Sequence, residues 1–190
     1  MKELEERIVR EGKVYAGDVL KVDGFLNHQM DPALFRAMAQ EWRRLFEGQE
    51  VTKILTIEAS GIGLACIAGE VFSCPVLFAK KSRTRNIAGS VYTSQVESYT
   101  HGGVYTILCS KEYLLPTDKV LILDDFLANG NALLGLLDLC AQAGAQVVGA
   151  GVAVEKAYQS GGDRVRAQGV RVESLARIRS MSPDSGVVFC

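Results

Sequence analysis

Two stretches of the chain repeat the order strand, loop, helix, strand, and this repetition restricts the possible folds more than any other feature of the sequence. The first unit comprises, in order, residues 53–57, 58–63, 64–71 and 75–79. The second comprises residues 119–123, a glycine-containing loop, residues 131–143 with Gly144 at the helix end, and residues 146–154. Two strands joined through a helix run parallel, because the crossover returns the chain to the same edge of the sheet. The repetition predicts an α/β fold with a twisted, mainly parallel sheet flanked by helices.

Other segments add to this framework. Asp31 and Pro32 form an N-cap and first-turn pair, and apolar residues at helical spacing predict a helix over 32–47. Alternating residues at 91–99 and 104–109 predict an antiparallel hairpin. A short helix at 164–168 and a strand at 171–176 are expected near the end of the chain.

Composition and charge argue against several classes of protein. With 190 residues, of which 48% are hydrophobic and 23% charged, the chain can bury a full core, and we expect one domain over 1–190. The 21 basic and 22 acidic residues nearly cancel, which argues against a nucleic-acid-binding protein. The start MKELEERIVREG is too charged for a signal peptide, and no apolar run approaches membrane-spanning length. We therefore expect a cytoplasmic protein without membrane partners.

The cysteines and histidines offer little for catalysis. Five cysteines are widely spaced without a CxxC pair, and His28 and His101 are far from all of them in sequence. This spacing argues against a metal knuckle and gives no local support for a Cys-His nucleophile. We predict no metal ligands among the side chains.

The stretch from Val120 to Ala132 is the most informative for chemistry. Apolar residues lead into Asp124 and Asp125, and a turn of small residues containing Gly130 then precedes a helix. The carboxyl end of a strand and the N-terminus of a helix meet here, and the unpaired N–H groups of the helix favour a phosphate. The sequence predicts an anion site beside two acids that can accept hydrogen bonds from hydroxyl groups.

This stretch resembles the phosphoribosyl-pyrophosphate (PRPP) signature of the type I phosphoribosyltransferases. The resemblance extends from about residue 20 to residue 178, and over this range the chain is similar to the bacterial xanthine subfamily of these enzymes. It rests on LKVD at 20–23, FLNHQ at 25–29, the 124–130 loop, VEK at 154–156 and RVESLARI at 171–178. The resemblance implies the type I phosphoribosyltransferase fold, with a small hood over the base site to which residues 1–30 contribute.

The resemblance also implies roles for individual residues. Asp124 and Asp125 would hold the ribose hydroxyls of PRPP, and the small residues after them would wrap its 5′-phosphate. That phosphate loop consists of Ala128, Asn129, Gly130, Asn131 and Ala132. A pyrophosphate loop would contain Ala59, Ser60 and Gly61, and the base would be bound by Leu20, Asn27 and Lys156. A flexible basic loop containing Lys80, Lys81, Arg83 and Arg85 would cover the anionic substrate.

Two features depart from common patterns. Asn129 and Ala132 stand where many family members carry threonine, so backbone N–H groups would have to supply more of the phosphate binding. The glycines at 61 and 63 suggest a dinucleotide fingerprint, but Cys66 replaces its third glycine and Lys80 stands where an acid is needed.

These features together predict a glycosyltransferase of purine salvage that joins xanthine and PRPP to give xanthosine 5′-monophosphate (XMP) and pyrophosphate. Mg²⁺ bound mainly through PRPP and a homodimer are the implied cofactor and assembly. Two alternatives stay open: a guanine or hypoxanthine transferase, because one lysine reads the 6-oxo group common to these bases, and a non-catalytic PRPP sensor on the same fold.

Overall fold

A computed structural model describes residues 1–81, 89–98 and 103–190. Its main feature is a six-stranded sheet, whose strands are β3 (Lys53–Ile57), β4 (Val76–Ala79), β7 (Lys119–Leu127), β8 (Gln146–Lys156), β9 (Val172–Ser182) and β10 (Gly186–Phe189). Their order across the sheet is β10-β9-β8-β7-β3-β4. All neighbours are parallel except β9 and β10. The expected α/β fold with a mainly parallel sheet is confirmed.

Five α-helices and two small hairpins complete the described part of the chain. The helices are α1 (Lys2–Glu11), α2 (Pro32–Leu45), α3 (Ser60–Phe72), α4 (Asn131–Ala143) and α5 (Gly161–Arg166). The hairpins are formed by β1 (Lys13–Tyr15) with β2 (Val19–Lys21), and by β5 (Val91–Ser98) with β6 (Gly103–Ser110). A π-helical turn, Asp23–Asn27, follows β2. None of the described helices has the length and apolar character needed to cross a membrane.

The helices of the two strand–helix–strand units lie on opposite faces of the sheet. From β3 to β4 the chain moves towards one edge, and from β7 to β8 it moves towards the other. Because such crossovers are right-handed, opposite directions place their helices on opposite faces. The core reflects this arrangement: α1, α2 and α3 contribute to one apolar cluster, whereas α4, α5 and the β5–β6 hairpin contribute to a second.

The strand order reverses between β3 and β7, and this point determines where a ligand can enter. The hydrogen-bonded pairing of these strands ends at Leu55 and Ile122, although both strands continue beyond it. In open α/β sheets, the crevice at such a reversal is the usual place for ligands. It is bordered here by the residues that follow β3 and by the acidic end of β7.

Two predicted boundaries were wrong at this crevice. Helix α3 begins at Ser60 rather than at residue 64, so Gly61 and Gly63 lie in its first turn and not in a loop. These glycines permit close packing, because a Cβ atom at Gly61 would lie 2.2 Å from Thr56 Oγ1 and one at Gly63 would lie 2.3 Å from Met30 Sδ. Strand β7 also continues to Leu127, so the two acids belong to the strand instead of following it.

The remaining elements agree in outline with the sequence. Asp31 caps α2 by accepting hydrogen bonds from the N–H groups of Ala33 and Leu34, and α2 ends at Leu45, two residues early. The second hairpin is confirmed within the described residues, with residue 99 of its predicted first strand outside them. The last helix begins at Gly161, three residues early, and β9 extends to Ser182. Helix α1 and strand β10 were not predicted.

Candidate active site

A cavity of about 690 Å³ lies at the carboxyl ends of β7 and β8. Several elements line it: the β1–β2 hairpin, the end of β7, the loop into α4, the end of β8 and the β5–β6 hairpin. Eight of the residues predicted for the site are among those lining it, namely Leu20, Asn27, Lys81, Ala128, Asn129, Gly130, Ala132 and Lys156. Residues from both ends of the chain thus meet at the carboxyl edge of the sheet.

Asp124 and Asp125 lie next to each other near the end of β7, and both are buried. Asp125 is 8% exposed, and its Oδ2 accepts a hydrogen bond from Asn27 Nδ2 at 3.2 Å. Asp124 is 5% exposed, and its Oδ1 accepts a hydrogen bond from the Asp125 backbone N–H at 2.9 Å. Neither acid is among the residues lining the cavity, and Asn27 connects Asp125 to it.

The environment of Asp124 disfavours its charged form. Burial raises the pKa of Asp124 well above its ordinary value, and the neighbouring Asp125 carboxylate raises it further. Lys81 acts in the opposite direction but does not cancel these effects. Thr56 Oγ1 packs against Gly61, which also lies close to Asp124 Oδ1. This hydroxyl is buried and has no hydrogen-bond partner among the described residues. A ligand with hydroxyl donors would supply the hydrogen bonds that an ionised Asp124 needs.

The phosphate loop turns sharply between β7 and α4. Gly130 has φ +83°, a left-handed conformation that favours glycine, and it forms the N-cap of α4. A Cβ atom here would also lie 2.9 Å from the carbonyl oxygen of Gly161. Asn129 Oδ1 accepts a hydrogen bond from the Asn131 N–H at 3.1 Å, so one N–H group at the helix start is occupied by a side chain. Asn131 is the one member of the loop that does not line the cavity.

The residues predicted for pyrophosphate lie across the crevice from this loop. Ala59 is the N-cap of α3, and Ser60 and Gly61 begin the helix directly after β3. A Cβ atom at Gly61 would lie 3.4 Å from Asp124 Oδ1, which places the start of α3 beside the acidic end of β7. The N-termini of α3 and α4 therefore both border the carboxyl edge of the sheet, where their unpaired N–H groups favour anions.

Lys156 ends β8 on the other side of the cavity. It is 7% exposed, and its Nζ donates a hydrogen bond of 2.5 Å to the backbone carbonyl of Asp18 in the β1–β2 turn. Burial lowers the pKa of Lys156, while Asp18 opposes the change. Leu20, 7% exposed, lines the same part of the cavity. The lysine is thus oriented towards a carbonyl oxygen, the kind of acceptor that a 6-oxopurine offers.

Glu155, next to Lys156 in sequence, is bound by two arginines and a serine. Its carboxylate accepts two hydrogen bonds from Arg166, at 2.8 and 2.9 Å, and others from Ser174 and Arg177. Burial alone would raise the pKa of Glu155, but the hydrogen bonds from Arg166 and Ser174, together with the charges of Arg166 and Arg177, outweigh it and the pKa is lowered. The two arginines of this cluster compensate the negative charge of the buried carboxylate.

The structure covers half of the predicted basic loop. Lys81 lines the cavity, its Nζ lies 5.4 Å from the ring centroid of Tyr105, and its backbone N–H donates to Glu58. Lys80 forms a bridge with Leu108, and its Nζ lies 5.7 Å from the ring centroid of Phe78. Arg83 and Arg85 lie outside the described residues.

Several residues that shape the site were not identified from the sequence. Phe126 and Tyr105 line the cavity, and Arg164 donates to the phosphate loop. Phe126 directly follows the two acids, so an aromatic side chain at that place was a signal that the sequence already offered. Nothing in the sequence pattern connected Arg164 or Tyr105 with the site, because their contacts depend on how distant elements pack.

Comparisons with known proteins find matches over most of the chain. The model of the phosphoribosyl transferase domain matches residues 23–176. The xanthine phosphoribosyltransferase of Lachnoclostridium phytofermentans is 52% identical over 188 residues, covering 99% of this chain and 97% of the relative. That of Bifidobacterium longum is 54% identical over 189 residues, covering 99% and 98%.

Solved structures share the fold at much lower identity. Adenine phosphoribosyltransferase from Giardia lamblia, complexed with 9-deazaadenine, has a TM-score of 0.79 at 22% identity and covers 93% of this chain and 98% of its own. The enzyme from Rhodothermus marinus has a TM-score of 0.76 at 22% identity, with 94% and 100% covered. At this identity the likeness establishes the fold alone.

Proposed function

The chain belongs to the phosphoribosyltransferase family, and from this premise we propose that it transfers the 5-phosphoribosyl group of PRPP to N9 of xanthine. The products are XMP and pyrophosphate. N9 attacks C1′, the bond between C1′ and the pyrophosphate oxygen breaks, and the proton of N9 passes to solvent. This choice of base is supported by two xanthine phosphoribosyltransferases that are 52% and 54% identical to this chain over nearly its full length.

One observation carries the assignment to the cavity. The hydrogen bond from Asn27 to Asp125 joins a residue of the N-terminal segment to the acidic end of β7, and Lys156 lies in the same cavity. A purine held by Lys156 and Asn27 would therefore lie beside a ribose held by Asp125. Such placement of two reactants is the main contribution that a protein can make to a transfer of this kind.

Each group has a chemical task in the proposed reaction. Asp124 and Asp125 accept hydrogen bonds from the ribose hydroxyls, and the 128–132 loop binds the 5′-phosphate through backbone N–H groups. The start of α3, with Ala59, Ser60 and Gly61, binds the pyrophosphate together with cations of the basic loop. Lys156 donates to the 6-oxo oxygen, where it currently donates to the Asp18 carbonyl. Charge that develops as pyrophosphate leaves is thereby met by groups already in place.

The proposal assigns Mg²⁺ to PRPP rather than to protein ligands. Among the described residues, no three His, Cys, Asp or Glu side chains are grouped so that they could hold a metal ion. The carboxylates nearest the anionic substrate are those of the two acids of β7, and in the proposed complex they accept hydrogen bonds from the ribose hydroxyls. When bound to PRPP, Mg²⁺ would neutralise part of the charge on the departing pyrophosphate.

We also propose that residues 1–190 act as one domain, with residues 1–30 as the hood over the base. In support, Leu20, Val22, Phe25 and Leu26 belong to the same apolar cluster as α2 and α3. A cytoplasmic homodimer is proposed from the family alone, and sedimentation at several protein concentrations would test the dimer.

The test is a direct assay of the four common purines. The protein, PRPP and Mg²⁺ are mixed with xanthine, guanine, hypoxanthine or adenine, and nucleotide absorbance and pyrophosphate release are followed. We expect the highest kcat/KM for xanthine and very low turnover of adenine, whose 6-amino group would place a donor against Lys156. Absence of pyrophosphate release with every base would refute the function. If kcat/KM were highest for guanine or hypoxanthine, that base and not xanthine would be the preferred substrate.

A further inference from the structure

Arg164, on the short helix α5, holds the phosphate loop from outside the cavity. Its Nη1 donates a hydrogen bond of 2.7 Å to the backbone carbonyl of Asn129 and one of 2.9 Å to Oδ1 of Asn131. Arg164 does not line the main cavity, whereas Asn129 does. The guanidinium therefore touches the loop but not the space in which a substrate would bind.

The contact with the Asn129 carbonyl has a consequence for the next residue. In a trans peptide the C=O and N–H bonds point in opposite directions. A cation that fixes the direction of the Asn129 carbonyl thus also fixes the direction of the Gly130 N–H at the start of α4. Gly130 is free of side-chain restraint at φ +83°, so this external contact supplies an orientation that the residue itself does not impose.

Backbone packing supports the same loop next to Arg164. The Gly161 N–H donates to the Ala128 carbonyl at 3.1 Å, and a Cβ atom at Gly161 would lie 2.2 Å from that oxygen. Helix α5 therefore approaches the loop as closely as a glycine allows. Arg164 leaves the same helix and reaches the loop one residue further along.

Asn131 links this support to the β5–β6 hairpin. Its Oδ1 accepts from Arg164, and its Nδ2 donates to the Glu97 carbonyl at 3.2 Å. Glu97 lines the cavity on the hairpin side. A single arginine thus braces both the turn of the phosphate loop and the side chain that joins it to the hairpin.

We propose that Arg164 is a positioning residue for the 5′-phosphate site, acting through the Asn129 carbonyl and the Asn131 amide. This inference rests on the proposed function, because it names the loop as the site of the 5′-phosphate. Since no hydroxyl side chain occupies positions 129 and 132, the orientation of backbone N–H groups determines the affinity of this loop for phosphate. Arg164 fixes that orientation.

The experiment compares Arg164→Met, Arg164→Lys and the control Arg179→Met, an exposed arginine on β9. Calorimetry measures the Kd for ribose 5-phosphate, which probes the phosphate loop, and for pyrophosphate, which probes the opposite end of the site. Arg164→Met should weaken ribose 5-phosphate binding about tenfold and leave pyrophosphate binding within about twofold. Arg164→Lys retains a charged donor and should recover part of the loss. In kinetics, the KM for PRPP should rise about tenfold while kcat changes less than about threefold.

A thermal unfolding scan checks that each variant is folded at the assay temperature. Unchanged ribose 5-phosphate affinity in Arg164→Met would overturn the inference and leave the proposed function intact. Equal loss of ribose 5-phosphate and pyrophosphate binding would also overturn it, since it would indicate a general collapse of the site. If the wild-type protein bound neither PRPP nor ribose 5-phosphate, the proposed function itself would fail.

Discussion

Replacing Asp124 by asparagine should weaken PRPP binding and at the same time stabilise the fold at neutral pH. Asp124 is 5% exposed and lies beside Asp125, and burial together with this neighbour raises its pKa. The asparagine has nearly the same shape, and its carbonyl oxygen can still accept the hydrogen bond from the Asp125 N–H. The substitution therefore removes the cost of ionising a buried carboxyl group without creating a cavity.

The size of the gain follows from simple electrostatics. Asparagine avoids both the loss of solvation and the repulsion from Asp125 that raise the pKa of Asp124. Lys81 and the backbone hydrogen bond offset part of this cost, so we expect a net gain of about 2 kcal/mol, a fraction of the repulsion of about 4 kcal/mol that two like charges experience at close range near a protein surface. In a chain of this length, that corresponds to a rise in Tm of about 4 to 8 °C. A gain in stability with a loss of function is typical of residues selected for binding.

The gain should depend on pH in a defined direction. Because the pKa of Asp124 is higher in the folded than in the unfolded chain, its contribution to stability is fully present below the unfolded pKa. It is lost as the pH rises through the folded pKa. Asparagine does not titrate, so its advantage over the wild type should be small in acid, near pH 4, and should grow towards pH 8.

Urea unfolding of both proteins at several pH values measures this difference, and calorimetry with PRPP measures the loss of binding. Asp184→Asn, at an exposed turn position, serves as the matched control and should change stability by less than about 0.5 kcal/mol. If Asp124→Asn were no more stable than the wild type at pH 8, the claim that Asp124 is an electrostatically costly ligand-binding group would be refuted.

Three further predictions concern other parts of the site. Gly130→Val should abolish measurable PRPP binding and lower Tm, because φ is +83° and the new side chain would meet the Gly161 backbone. Calorimetry measures the PRPP affinity and thermal unfolding measures Tm. Unchanged PRPP affinity would contradict the role of the loop. Lys156→Ala should reduce kcat/KM for xanthine strongly and narrow the gap to adenine, which in the wild type should be on the order of 10⁴-fold; an unchanged ranking and unchanged rates with the four purines would remove the lysine from base recognition. Arg166→Ala should cost about 3 kcal/mol in urea unfolding because it leaves the buried Glu155 carboxylate with fewer partners, and adding Glu155→Gln should restore part of it. The cost should shrink in acid, since the lowered pKa of Glu155 means that its stabilising contribution is lost as the pH falls through that value; a cost independent of pH would show that the loss comes from packing.

Much of the fold could be predicted because its signals are local. A β-branched run, an Asx-Pro cap and a glycine at a helix end act within a few residues, and strand β3 and helix α4 were predicted to the residue. The start of α3 was predicted four residues late, because glycines that permit close packing of a helix are indistinguishable in a sequence from loop residues. Helix α1 was missed because Leu4, Ile8 and Val9 are its only three apolar residues among seven charged ones.

The candidate site divides in the same way. The adjacent acids of β7 and the small residues after them are contiguous in the chain, so the sequence alone could indicate an anion site there. The family resemblance added Leu20, Asn27 and Lys156 as residues of the base site. All three line the cavity that the fold forms, although their roles in binding stay predictions.

Only the tertiary structure shows which of these distant residues contact one another. Asn27 and Asp125 are 98 residues apart, and Arg164 lies 35 residues from the carbonyl that it holds. Such contacts arise where separate elements pack at the reversal of strand order, and no local pattern of residue types records which side chains will meet there. The sequence therefore determined the central strands and helices and indicated an anion-binding turn, whereas the packing of distant elements decided which groups meet at the cavity, because hydrogen bonds between them depend on distances that exist only in the folded chain.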